Sequence, residues 1–433
     1  MDNLDAARLQ MAFTLMFHIV FACIGMVMPF FMVVSHYKWL KTRKPVYLTL
    51  TKAWQKGVAI FFVTGAVSGT ALSFELGLLW PEFMKHAGPI IGMPFSLEGA
   101  AFFVEALAIG FYLYGWDKIN ERFHWITGVI IGVSGVASGI LVVSANGWMN
   151  APSGFDYIDG KFTNIDPVAA FLNDAWFSQA LHMTLAAFAS TGFAVAGIHA
   201  WQVYKKRNPE VHAKAFHIAI IFGSVAALLQ PISGDISAKD VAKRQPVKLA
   251  AMEAHYETSK GVPLFIGGIV DEKNKSVSHK IEIPKALSFL AFGDFDAEVK
   301  GLNDFPADEL PPVAIPHYAF QVMVGMGGVM AVAALTYFIS VFRRKWWDNR
   351  KFWLLFAILA PVGYIALEAG WVVTEVGRQP WIIHKIMRTK DAVTPMPGMV
   401  YSFYFYVFLY TVLTLTVIWL MRRQIKVLNS KTD

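Results

Sequence analysis

What most constrains this chain is a recurrence of apolar runs of about 20 residues or more, separated by charged stretches. A helix rises about 1.5 Å per residue, so such a run crosses about 30 Å of hydrocarbon. Hydrocarbon offers no partner to a backbone N–H or C=O, and a helix satisfies both internally. Nine spanning helices are expected, at roughly 10–35, 54–79, 96–116, 124–146, 178–203, 213–232, 317–342, 352–376 and 400–421. Composition agrees: 55% of residues are hydrophobic and 16% charged, against about 25% charged in soluble domains. The expected fold class is therefore an all-α, polytopic membrane protein. The first run has full span length, no basic segment before it and no small-residue cleavage site, so it reads as a span and not a removable signal.

Charge in the connections gives the orientation. KWLKTRK (38–44), KKRNPEVHAK (205–214), RRKWWDNRK (343–351) and the tail RRQIK (422–426) are rich in Lys and Arg, and all fall on one side of a nine-span chain. The positive-inside rule puts that side in the cytoplasm, with the N-terminus outside and the C-terminus cytoplasmic. RQPWIIHKIMRTK is basic yet falls outside, and is outvoted by the other four. The net charge of +7 sits beside the spans, so it is no sign of nucleic-acid binding. The single cysteine, Cys23, lies within the first span, which excludes disulfides, cysteine metal sites and haem attached through C-x-x-C-H. The chain divides into 1–232 with six spans, an external connection over 233–316, and 317–433 with three spans and a tail. A connection of that length implies a function or a small folded hairpin. No internal repeat or low-complexity tract is present.

Charged and metal-ligating side chains inside a bilayer cost at least a few kcal/mol each and default to function. They are His18, Lys56, Glu75, Glu98, Glu105, His182, Glu368 and Glu375. Glu98 and Glu105 are seven residues apart, as are Glu368 and Glu375, so each pair shares a helix face. With the orientation above, His18, Glu98, His182, Met323 and Glu375 come from five helices to the outer third of the membrane. Imidazole and thioether suit low-spin haem iron. A carboxylate is a harder, weaker ligand that leaves iron high-spin with an open position, as oxygen chemistry requires. Blander roles exist for each. A buried histidine can bond helix to helix, Met323 can be core, a proton path accounts for the Glu pairs as well as metal does, Lys56 can snorkel, and Arg378 can anchor at the interface.

EAGWVVTE followed by GRQPW (377–381), with GWMNAP (147–152), SLEGAAFFVE (96–105), the first-span histidine and KLAAMEAHYET (248–258), resembles subunit I of the cytochrome bd-type quinol oxidases over essentially the whole chain. The resemblance implies nine membrane helices and an external quinol-binding loop. It implies that His182 and Met323 ligate haem b558. His18, with Glu98 close to the same iron, and Glu375 would ligate two high-spin haems, b595 and haem d, or a b-type haem in its place. Lys248 and Glu253 match the quinol-binding pair, Lys56 and Glu105 the proton route from the cytoplasm, and Arg378 an arginine that neutralises haem propionates. Trp371, between haem sites, is a candidate for electron transfer among them. The implied partners are a second membrane subunit, small single-helix subunits, membrane quinol and O2, with no nucleic acid, in a prokaryotic cytoplasmic membrane. Many members carry an arginine two residues before the methionine ligand, where this chain has Gln321; the loop is also short.

Two rivals make different demands. A proton- or cation-coupled secondary transporter would be colourless and would have helices broken at mid-membrane. A bc-type cytochrome b would need two histidine pairs on two helices; His182 and His199 share one span, and no second pair matches them. The run ITGVIIGVSGVASGI (126–140) reads as small-residue helix packing.

Overall fold

The computed structural model describes residues 1–430. Among these residues, nine helices are long and apolar enough to cross a membrane. Spans 1 to 4 are Asn3–Thr42, Pro45–Leu79, Pro81–Tyr114 and Glu121–Asn150. Spans 5 to 9 are Trp176–Tyr204, Pro209–Arg244, Ala314–Phe342, Arg350–Val376 and Met399–Ser430. Every expected span is present, and most run beyond the apolar core that marks them in sequence. Span 6 departs furthest: it passes Pro231 without ending and continues past 232 to Arg244, so the connection to span 7 begins a helical arm beyond the expected boundary.

The ends follow local chemistry. Asp2 caps span 1 by accepting from the Asp5 N–H. Span 1 stops at Arg43, which adopts a left-handed conformation with φ 54°, and Pro45 opens span 2. Span 6 likewise opens at Pro209.

Small residues set the helix spacing. Span 4 presents Gly128, Gly132, Gly135 and Gly139 to Tyr112 and Val33, Phe30, Glu105 and Met26 respectively, as the small-residue reading required. Spans 5 and 6 touch backbone to backbone: a Cβ on Gly192 would lie 2.5 Å from the Gly223 Cα. Without a hydrophobic drive between helices in lipid, such close van der Waals contact is what holds them together.

Span 8 consists of two helices, Arg350–Ile358 and Val362–Val376. Pro361 accounts for the interruption, because it has no N–H and its ring crowds the preceding turn. The backbone repairs itself with tighter bonds, Ala360 N–H to Ala357 O and Val362 N–H to Leu359 O. Ser190 on span 5 donates to the Gly363 carbonyl at 2.9 Å. A Cβ on Gly197 would meet the Ala360 Cβ at 2.5 Å. The bend is therefore packed shut, unlike the open half-helices that a transporter uses at its substrate site.

The connection between spans 6 and 7 folds into a small unit. Ser259–Lys260 pairs with Glu298–Val299, Leu264–Ile266 with Ile281–Ile283, and Ile269–Asp271 with Ser276–Ser278, all antiparallel. Leu249, Val262, Leu287, Ala291 and Val299 form its own apolar cluster with Ala242 from the arm of span 6. Gln321 at the head of span 7 clamps it, donating to the Phe265 carbonyl at 2.8 Å and accepting from the Gly267 N–H at 3.2 Å. The residue that stands where many bd-type subunits have an arginine is thus engaged with the loop.

Candidate functional site

A cavity of about 1150 Å³ opens among spans 1, 2, 3, 4 and 8 and the segment after span 8. His18, Glu98, Glu105, Trp371, Glu375 and Arg378 all line it. Six residues singled out in the sequence therefore converge from three helices and the GRQPW segment on one chamber.

Each is held by a neighbour. On span 1, His18 Nδ1 shares a hydrogen bond of 2.9 Å with Ser68 Oγ of span 2, which leaves Nε2 for another partner. Gly69 makes the room: a Cβ there would stand 3.0 Å from the imidazole. On span 3, Glu98 accepts from Ser138 Oγ of span 4 at 3.1 Å, and Glu105 lies against Gly135 of span 4. The heptad spacing that puts both carboxylates on one face thus meets a face of span 4 with small residues at the matching heights. On span 8, Glu375 accepts from Asn146 Nδ2 at 2.5 Å through one oxygen and pairs with Arg378 through the other.

The donor set fits iron porphyrins. The chamber is mostly walled by apolar side chains, with an imidazole and carboxylates at separate points. Arg378 is only 4% exposed, and its Nε and Nη1 have no protein partner. Unpartnered guanidinium donors at a cavity wall are suited to an anionic group such as a haem propionate. Arg8, which the sequence reading missed, is a second cation on the same wall, with Nε also unpartnered and Nη2 donating to Gln379 Oε1 at 3.1 Å. Its signal in sequence was a lone arginine near the N-terminal end of the first apolar run.

His182 and Met323 do not line this chamber. His182 Nδ1 meets Ser233 Oγ at 3.0 Å, and the Gln230 amide lies 3.1 Å from Nε2. A Cβ on Gly370 would fall 3.0 Å from the Met323 sulfur. Gly370 adjoins Trp371, which itself lines the chamber. A thioether and a buried imidazole fit low-spin haem iron, with the Gln230 amide as the group that Nε2 ligation would displace.

Lys248 and Glu253 belong to the short helix Pro246–Met252 and its C-cap. Five residues amount to about 500° of helix, so their side chains diverge. Lys248 turns inward and donates to Asn150 Oδ1 of span 4 at 2.8 Å. Burial pushes its ammonium down to about 7, the Arg378 charge adds to that, and the Glu375 carboxylate opposes it. Burial pushes Glu253 up to about 8, and its Oε2 has no partner. His317, fully buried at the head of span 7, bonds the Met252 carbonyl through Nδ1 at 2.8 Å and fixes the helix end that carries Glu253. His384, also missed, has neither ring nitrogen partnered; burial first, then the charges of Lys248, Lys385 and Arg378, hold it down at about 4.

Lys56 is exposed and lies outside the chamber wall. Glu368 has both oxygens buried and unpartnered and also lies off that wall. Glu75 is buried elsewhere, accepting from Gln10 at 3.0 Å and Thr14 at 2.9 Å.

Residues 6–428 match the family described as cytochrome bd terminal oxidase subunit I. The chain belongs to that family. It is 37% identical to the putative cytochrome bd menaquinol oxidase subunit I of Bacillus subtilis (strain 168), over 97% of this chain and 96% of the relative. It is 31% identical to the cytochrome bd ubiquinol oxidase subunit 1 of the same organism, over 98% and 94%. The bd oxidase structure from Geobacillus thermodenitrificans matches with a TM-score of 0.93 at 36% identity, covering 98% of each chain. This bd-type subunit is thus a multi-pass bacterial membrane protein of respiratory electron transport, an oxidoreductase that acts on quinol and carries haem.

Proposed function

We propose that this subunit oxidises membrane quinol at the outer face and houses O2 reduction to water, with protons drawn from the cytoplasm. Charge separation then comes from the sidedness of proton release and uptake, without pumping. His182 and Met323 hold haem b558; His18 and Glu375 hold the two high-spin haems, b595 and haem d or a b-type haem in its place. When bound, these groups supply electron transfer and the iron at which O2 is reduced. The observation that carries the reading is the single chamber lined by His18, Glu98, Glu375 and Arg378.

The protein's own residues do the rest. Glu253, buried with an open oxygen, takes a proton from quinol as general base. Lys248 supplies positive charge beneath the same loop. Glu105 and Glu98, both on the chamber wall, pass protons along one face of span 3, with Lys56 at the cytoplasmic end of span 2. Trp371 bridges the Met323 region and the chamber, and Arg378 holds the propionates. The subunit works in the cytoplasmic membrane with a second membrane subunit and small single-helix subunits.

A reduced-minus-oxidised visible spectrum of the purified oxidase tests this. Low-spin and high-spin haem bands are expected, with a band further to the red where a chlorin is present. A colourless protein would return the carboxylates to a proton- or cation-coupled transporter.

A further inference from the structure

Glu375 is joined to the external loop by an unbroken line of hydrogen bonds. Lys248 Nζ donates to Asn150 Oδ1 at 2.8 Å, Asn150 Nδ2 to Asn146 Oδ1 at 3.0 Å, and Asn146 Nδ2 to Glu375 Oε1 at 2.5 Å. All three bonds point the same way. Each amide accepts on the side of Lys248 and donates on the side of the carboxylate, so the line joins the lysine nitrogen to Glu375 through two side chains. In a low-dielectric interior such aligned bonds polarise one another.

The line is built, not incidental. Asn146 and Asn150 are one turn apart at the end of span 4, so their side chains stack on one face. Gln245 locks Asn150 from the loop side, donating to its backbone oxygen at 2.8 Å and to Oδ1 at 3.2 Å. Lys248, Asn150 and Gln245 are each 5% exposed or less. A lysine nitrogen buried that deeply needs an acceptor, Asn150 supplies it, and the line ends on a carboxylate that Arg378 also pairs with.

We propose that Lys248 is a positioning residue for Glu375, and that the line transmits the seating of the helix Pro246–Met252 at the outer face to the carboxylate on the chamber wall. The inference rests on the reading of Glu375 as a haem ligand. Asn146 fixes Oε1, while the Lys248 charge draws electron density along the line. Breaking it leaves a carboxylate that is less fixed and more strongly electron-donating, because an oxygen that loses a hydrogen-bond donor keeps more of its negative charge.

The test uses the intact oxidase carrying Lys248→Met or Asn150→Leu, with redox titration of the haem bands and quinol kinetics measured together. Both variants are expected to shift the high-spin band and lower its midpoint potential, with the His182/Met323 haem band in place as the control for folding. Lys248→Arg is expected to restore the wild-type band. If Lys248→Met raises KM for quinol alone and Asn150→Leu leaves the high-spin haems untouched, the proposal is overturned and Lys248 serves quinol only. Glu375→Ala separates the two layers. If it leaves every haem band unchanged, the ligand reading itself falls. If it abolishes a high-spin band while neither line variant moves one, only the line falls.

Discussion

At the scale of single residues, burial decides which protonation state each group brings to the chemistry. Glu253 is held at about 8 by burial, so its acid form predominates at neutral pH. A general base must be deprotonated, and the fraction of carboxylate grows as pH rises through 8. Quinol oxidation, measured as kcat/KM at fixed salt, should therefore rise with pH up to that point and level off above it. Glu253→Gln should flatten the rise and lower the plateau by about 10²-fold or more. A variant with the wild-type pH profile would remove Glu253 from proton transfer. The sequence made Glu253 legible only through its motif, because nothing in KLAAMEAHYET shows that its side chain points away from Lys248. That divergence comes from the helix Pro246–Met252, and the partners of Lys248 lie about 100 residues earlier in the chain. Arg8 and His384 were illegible for the same reason: single polar residues acquire meaning from walls assembled by distant segments.

At the scale of elements, apolar length located every span, but not its ends or its contacts. Span 6 outruns its apolar stretch because amphipathic residues continue it as an arm packed on the loop, with Ala242 in the loop's cluster. The helix crossings depend on glycines whose role is visible only when two spans meet. Gly192 on span 5 and Gly223 on span 6 leave no space for a methyl group between them. Gly192→Ala must push the helices apart, at a cost typical of overpacking, about 1–3 kcal/mol. Thermal unfolding in detergent should show a lowered midpoint, and His182, ten residues away on span 5, should lose part of its haem band in the assembled protein. An unchanged midpoint would mean that the crossing relaxes freely. The same logic explains why span 4 carries glycines opposite Glu105 and Tyr112: the carboxylate face of span 3 sits close only because its neighbour has no side chains there.

At the scale of the whole molecule, the alternation of nine spans puts KWLKTRK, KKRNPEVHAK and RRKWWDNRK at one end, and the folded loop with GRQPW at the other. The chamber residues lie toward the loop end, so which end faces the cytoplasm decides whether quinol protons are released outside. The charge bias predicts that the loop lies outside. The chain offers a clean way to measure this, since its single cysteine, Cys23, is fully buried in span 1. Lys273 on the loop and Lys345 between spans 7 and 8 are both exposed. In spheroplasts, a membrane-impermeant maleimide should label Lys273→Cys at once and Lys345→Cys only after lysis, with the wild-type chain unlabelled throughout. The reverse pattern would put the Lys248 helix and Glu253 on the cytoplasmic side. Quinol protons would then be released where protons for water are taken up, and oxidation would separate no charge. The labelling pattern thus bears on energy conservation as directly as on topology, because in the proposed mechanism without a pump the two are one geometric fact.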